Sequence, residues 1–212
     1  MNIFEKPLQV QTSPWPHVEI NNFLQEDFAN DIITNFGDQN FRDKWWEYLK
    51  SREQEYLKLI GETFNHDMTD LSFEEFNWVP WPGTETRERL KPIHCDGAAK
   101  KFQIMMYFGT KTPNGGELTF NEGNSETIAK NFPFTHNKLV MWPSTRETWH
   151  TFYSLIGDTR YTLNIPISNE YEALEQKKQM LIIHEEKLKA DGAYEFEVQR
   201  VKEKERALGI IK

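Results

Sequence analysis

His94-Cys95-Asp96 sets an imidazole and a carboxylate two positions apart. In extended chain, residues i and i+2 project to the same side. A strand or strand end here therefore offers both groups to one metal ion. His150, 54 positions beyond Asp96, would arrive from a different strand and complete a two-histidine, one-carboxylate set. Such a set suits non-haem Fe(II) and leaves coordination positions open, enough for a chelating cosubstrate and O2. Zinc accepts the same ligands. Hydrolysis at zinc, and metal or ligand binding without any chemistry, are therefore competing readings of the three residues alone.

Chance is a serious competitor for so short a motif. With six histidines in 212 residues, an HxD triplet arises about once in four such chains. Context carries the argument instead. Arg160 follows His150 by ten positions, on the apolar run Arg160-Tyr161-Thr162-Leu163-Asn164-Ile165. A guanidinium turned into a core is costly unless it meets a carboxylate, and no acidic residue of the adjoining strands is an obvious partner. A ligand carboxylate fits the role, and a zinc hydrolase has no use for it. Cys95 reads as a small semi-apolar residue, and no GxGxxG, Walker, HExxH, GxSxG or CxxC motif is present.

These residues need a β-rich scaffold, and the middle of the chain supplies one. Phe73 to Val79, Phe102 to Phe108, Leu118 to Phe120, Leu139 to Trp142, Trp149 to Ile156 and Tyr161 to Ile167 read as strands. Pro82-Gly83, Pro113-Asn114-Gly115-Gly116, Glu122-Gly123-Asn124 and Gly157-Asp158 punctuate them. Strands this short and this closely spaced argue an antiparallel sandwich or barrel. His150 and Arg160 are expected on neighbouring strands joined at Gly157-Asp158. The stretch 121–137 is either a mobile loop or a concealed strand, and it and 82–91, with Arg87, Arg89 and Lys91, are lid candidates. Lys100 and Lys101 either meet an anionic substrate or are solvated. Before the strands come the short strand His17 to Ile20, a helix with Phe28, Ile32, Ile33 and Phe36 on one face and Gly37 at its end, and one longer helix carrying Trp45, Leu49, Tyr56 and Ile60. After them comes a helical hairpin, with Tyr171, Leu174, Leu181 and Leu188 on one side of its first arm and a break at Asp191-Gly192. His17, His66, His136 and His184 read as exposed or capping, and Trp142 and Trp149 as core.

Composition limits the partners. Twenty-five basic and 33 acidic residues leave a net charge of −8, poorly suited to nucleic acid or anionic membranes. No run approaches the ~20 apolar residues of a membrane span. Met1 to Lys6 lacks the form of a secretion signal, and a single cysteine makes no disulfide framework. A cytoplasmic protein is expected, with residues 1–168 as one domain whose core is about 71–168. Residues 169–212 form a helical extension packed on the domain or on a second copy, which would make a homodimer. A protein–protein interaction module built on this extension is a further reading.

His94-x-Asp96, the element Gly115-Gly116-x-Leu118, and His150 followed by Gly157 and Arg160 resemble the Fe(II)- and 2-oxoglutarate-dependent oxygenases, in their prolyl-4-hydroxylase-like branch. The resemblance spans about Glu75 to Ile167, and Pro16 to Leu24 is similar to that branch's entry strand and helix. It implies an α+β fold with a mainly β core: a double-stranded β-helix, or jelly roll, of cupin-like form. It implies iron at His94, Asp96 and His150, and the distal carboxylate of 2-oxoglutarate at Arg160, with Tyr107 and Thr162 as hydroxyl partners. O2 is then the oxidant and ascorbate a supporting reductant. The product chemistry is hydroxylation of a peptidyl proline or a small metabolite, with release of succinate and CO2. Relatives that halogenate carry a small residue in place of the carboxylate, so Asp96 implies hydroxylation.

Overall fold

A computed structural model describes residues 3–4, 6–74, 77–110 and 113–211. Glu75 and Phe76, within the strand expected over 73–79, lie outside the described residues, as do Met1, Asn2 and Glu5 of the opening segment. The chain runs β1 (Val10–Gln11), β2 (His17–Asn21), α1 (Glu26–Thr34), α2 (Gln39–Ser51), α3 (Glu53–Phe64), β3 (Leu71–Phe73), β4 (Asn77–Trp81) and β5 (Lys100–Phe108). It continues through β6 (Leu118–Asn121), β7 (Ile128–Phe132), β8 (Lys138–Pro143), β9 (His150–Phe152), β10 (Arg160–Asn169), α4 (Glu170–Ile183), α5 (Glu185–Ala190) and α6 (Tyr194–Ala207).

The strands make two antiparallel sheets. The larger runs β1-β2-β8-β5-β10-β3, with β4 also paired to β10, and the smaller runs β7-β6-β9. Strand β5 is buried from Phe102 to Phe108 because both of its faces are covered. Phe102, Ile104, Met106 and Phe108 meet the helices together with Trp45, Leu49, Tyr56 and Ile60. Met105 and Tyr107 point the other way and pack with Leu118, Phe120, Phe132 and Phe152 of the small sheet. This explains why Met105-Met106-Tyr107-Phe108 shows no polar alternation: a strand covered on both faces need not alternate. The site residues lie in the layer between the sheets.

Several local expectations give way to tertiary contacts. The one long helix is two, parted at Arg52 (φ −110°, ψ 4°). The break brings Glu53 to the start of α3, where its carboxylate takes the Phe73 amide of β3 and the Lys50 ammonium. Helix α1 stops at Thr34 with Asn35 as its C-cap, ahead of Gly37. The stretch 121–137 conceals a strand, β7, paired along β6. Trp149 to Ile156 is strand only over His150–Phe152. Segment 82–91 is no free lid. It is tied to the chain after β9 by Leu90 N–H to Phe152 O, Ser154 N–H to Glu88 O and Thr84 N–H to Leu155 O. Arg87 pairs with Glu117 and lies over the Tyr153 ring, and Arg89 pairs with Glu126.

The C-terminal helices break at His184 and again at Asp191-Gly192, and α4 packs along α6. Leu174 and Val201 are buried there, whereas Tyr171, expected inside, is 54% exposed. His17 and His136, expected exposed or capping, are buried. His17 sits on β2 with its ring edge-on to Phe120 and Phe132 of the small sheet. His136 accepts the Gly109 amide. Among the described residues no helix is long and apolar enough to cross a membrane.

Candidate metal centre

Two backbone hydrogen bonds between His94 and His150, N–H to O in each direction at 3.1 and 2.8 Å, join the segment before β5 to the start of β9. The imidazoles are thereby side by side, their ring centres 4.5 Å apart. Asp96 follows two positions after His94 and turns its carboxylate to the same point. One ligand atom from each of His94, Asp96 and His150 lies within 4.8 Å of the others, and His150 Nε2 is 4.0 Å from Asp96 Oδ2. The alternation argument and the distant histidine thus meet in one place.

The ring tautomers follow from the hydrogen bonds. His94 Nδ1 is 2.8 Å from Pro92 O and His150 Nδ1 is 3.0 Å from Thr148 O. A carbonyl only accepts, so each Nδ1 carries the proton and each Nε2 presents a lone pair. Burial pushes the His150 pKa down to about 4, against the raising pull of Asp96, so this ring is neutral near pH 7. Burial alone would raise the Asp96 carboxyl, but the charges of His150 and Lys100 outweigh it and hold the group below its ordinary value. Both carboxylate oxygens are oriented: Lys100 Nζ donates to Oδ1 at 3.1 Å and Ser144 Oγ to Oδ2 at 3.2 Å. Two imidazoles oriented through Nδ1 and one held carboxylate form a donor set a divalent first-row metal ion accepts.

Arg160 is fully buried. Its strand, β10, belongs to the large sheet and β9 to the small one. His150 and Arg160 therefore face each other across the interior rather than lying on adjacent strands, because the chain changes sheet between Phe152 and Arg160. Arg160 Nη1 donates to Tyr153 O at 3.1 Å, while Nε and Nη2 find no partner among the described residues. The guanidinium carbon lies 4.7 Å from the Tyr107 ring centre and 4.6 Å from that of Phe152. Among the described residues no carboxylate pairs with it, and burial depresses its pKa. Burial also drives the Tyr107 phenol up to about 12, partly countered by the guanidinium, so the hydroxyl keeps its proton. Thr162 stands directly opposite Tyr107 in the β10–β5 register, and among the described residues neither buried hydroxyl has a partner in full hydrogen-bonding geometry.

Sequence reasoning missed part of this lining. Gln103 Oε1 and Asn164 Oδ1 are also buried and without a partner among the described residues, on the same strand faces as Tyr107 and Thr162. Extending the i, i+2 step along β5 and β10 would have found them. Trp142, expected in the core, is fully buried and meets the His150 ring edge-on at 5.1 Å. Lys100 and Lys101 are half-buried, and each is engaged within the chain: Lys100 binds Asp96 and Lys101 binds Glu172. Gly115 and Gly116, both at positive φ, lay the loop before β6 against Ser154 and Leu155. A Cβ on Gly115 would sit 2.7 Å from Ser154 O, and one on Gly116 2.6 Å from a Leu155 methyl carbon.

No family model and no curated protein matches the chain. Solved structures do. A prolyl 4-hydroxylase from Phytophthora capsici aligns at 14% identity with a TM-score of 0.51, covering 90% of this chain and 88% of that one. A viral collagen prolyl hydroxylase from Paramecium Bursaria Chlorella virus-1, solved as its 2OG complex, aligns at 14% identity over 72% of this chain and 94% of that chain, TM-score 0.46. A prolyl hydroxylase from Trichoplax adhaerens, in complex with a hypoxia-inducible-factor peptide fragment, gives 12% identity, 74% and 84% coverage, and a TM-score of 0.48. The mixed helix-and-sheet fold is thus shared with prolyl 4-hydroxylases across nine-tenths of the chain.

Proposed function

We propose that this chain is an Fe(II)- and 2-oxoglutarate-dependent oxygenase that hydroxylates an unactivated C–H bond. In this reading the two sheets are the halves of a jelly roll formed within residues 1–168. His94, Asp96 and His150 hold iron, and Arg160 holds the distal carboxylate of 2-oxoglutarate. The observation that carries it is the under-partnered guanidinium buried opposite the three ligands. From His150 to Phe152, whose ring lies against the guanidinium, β9 advances about 7 Å, within reach of a five-carbon diacid chelating the metal through its 2-oxo end. A zinc hydrolase or a passive metal-binding module leaves Arg160 without a purpose.

The protein's own part in the reaction is positional. Carbonyls of Pro92 and Thr148 lock both imidazoles with Nε2 free. Lys100 and Ser144 fix the Asp96 carboxylate, which leaves the remaining coordination positions to ligands. Arg160, with the hydroxyls of Tyr107 and Thr162, receives the far carboxylate and so sets which end of the diacid meets the metal. Met105, Val140, Trp142, Phe120 and Phe152 wall the interior with apolar surface and exclude water. Bound iron, 2-oxoglutarate and O2 supply the oxidation itself, yielding succinate, CO2 and a hydroxylated product.

The test is succinate release by the purified protein with Fe(II), ascorbate and 2-oxoglutarate, scored against Asp96→Ala. The native protein should release succinate and the variant should fall to the no-enzyme background. Equal release by both would overturn the assignment. Prolyl peptides lead the panel for stimulated turnover, followed by small metabolites, with a gain of one oxygen atom as the mass signature.

A further inference from the structure

We infer that the C-terminal extension is part of the metal centre's support: one face of α4 holds the loop that carries Asp96, with Glu172 and Lys101 as positioning residues. The inference rests on the metal centre proposed above. Three contacts carry it, one at the N-cap of α4 and two on one face of the helix. The Asn169 amide donates to Ala99 O at 3.3 Å. Lys101 Nζ donates both to Glu172 Oε2, at 2.7 Å, and to Ala98 O, at 3.0 Å, so the ammonium ties the helix to the loop backbone. The Gln176 amide rests on Gly97, where an added Cβ would lie 2.5 Å from Nε2. Glu172 and Gln176 fall at i and i+4, on a single helical face, and Asn169 is the cap that starts the helix. Asn169 and Gln176 meet Ala99 and Gly97 directly, and Glu172 meets Ala98 through Lys101, in the residues that immediately follow Asp96.

This face differs from the one that buries Leu174, so α4 is engaged on two sides. Lys100, between the residues so held, donates to Asp96 Oδ1. Loosening the loop lets Asp96 and Lys100 drift together away from the imidazoles, which are fixed separately through β9. The consequence is a loss of metal affinity, because a chelate needs all its donors placed before the ion arrives.

Anaerobic calorimetric titration of the full-length protein with Co(II) alone tests this without turnover. Glu172→Gln and Lys101→Met should each weaken Co(II) binding roughly fivefold, the scale of one partly exposed ion pair. The double variant should be no weaker than Lys101→Met alone, since that substitution already breaks the link to Glu172. Lys101→Arg, which keeps a donor for both partners, should bind nearly as the native protein does. Asp38→Ala removes the N-cap of α2, which receives the Asn40 and Phe41 amides. It should lower the melting temperature while leaving Co(II) affinity intact, separating support of the loop from general stability. Native affinity in both single variants, or a weakening in Asp38→Ala equal to theirs, overturns the inference. A native protein that binds no Co(II) overturns the metal centre itself, and the loop support with it.

Discussion

Replacing Arg160 by methionine should make the ligand-free protein more stable and the ligand-bound protein less so. The guanidinium is fully buried, with one hydrogen bond to Tyr153 O and two nitrogens unpartnered. Desolvating a charge costs several kcal/mol. Opposing that are the single carbonyl bond, about 1.5–3 kcal/mol, and ring contacts with Tyr107 and Phe152, each about 1–2 kcal/mol. Methionine fills similar volume, has no charge to desolvate, and keeps sulfur–ring contacts of about 0.3–1.5 kcal/mol with each of the two rings, so the ring contributions largely cancel and the carbonyl bond alone opposes the desolvation cost. The net change on substitution is then a gain of about 1–2 kcal/mol, a rise in melting temperature of roughly 3–6 °C for a chain this size. With 2-oxoglutarate at about 100 times its Kd, the native protein gains about 2.7 kcal/mol and the variant none. The ranking therefore reverses. Differential scanning calorimetry of both proteins loaded with Mn(II), with and without 2-oxoglutarate, reads it directly. Two results together would refute the reasoning: a variant less stable than the native protein without ligand, and an equal rise for both with it. Arg160 would then be a structural cation, and the carboxylate site would have to lie elsewhere.

Tyr107→Phe removes a protonated hydroxyl beside the guanidinium and should raise the KM for 2-oxoglutarate about tenfold, the worth of one hydrogen bond to a charged group. Steady-state kinetics should show kcat changed by less than about twofold. His17 predicts a pH effect away from the metal. Its Nδ1–H donates to Trp15 O and its Nε2 accepts from Lys130, each at 2.8 Å. Burial, reinforced by the Lys130 charge, lowers its pKa below 6.5. The folded protein thus refuses a proton that the unfolded chain accepts below 6.5. The stability His17 contributes is present above that pH and lost as pH falls toward the folded value, at no more than about 1.4 kcal/mol per unit. The stability gap between native protein and His17→Gln should narrow from about pH 7 to about pH 5 in urea unfolding. A constant gap would count against the buried neutral ring.

What local pattern could disclose, it disclosed through period and spacing. The i, i+2 step put His94 and Asp96 on one side, and an apolar run around Arg160 announced a guanidinium facing inward. Turn residues marked out most of the strands, and the family resemblance rested on His94, Asp96, the Gly115-Gly116 element, His150, Gly157 and Arg160. Other features depend on which element faces which, and no residue's near neighbours encode that. The apolar flank of β9 did not reveal that His150 and Arg160 belong to opposite sheets. The alternation at His17 could not say that both of its faces would be covered. Helical periodicity ran on through Arg52 because the contact that accompanies the break, Glu53 with the Phe73 amide, is made 20 residues along the chain. Lys101 stood between a substrate contact and a solvated charge because its partner, Glu172, is 71 positions away. Side-chain direction is set by backbone geometry over two or three residues. Burial and ion pairing are set by chain that arrives from far along the sequence, and only packing decides them.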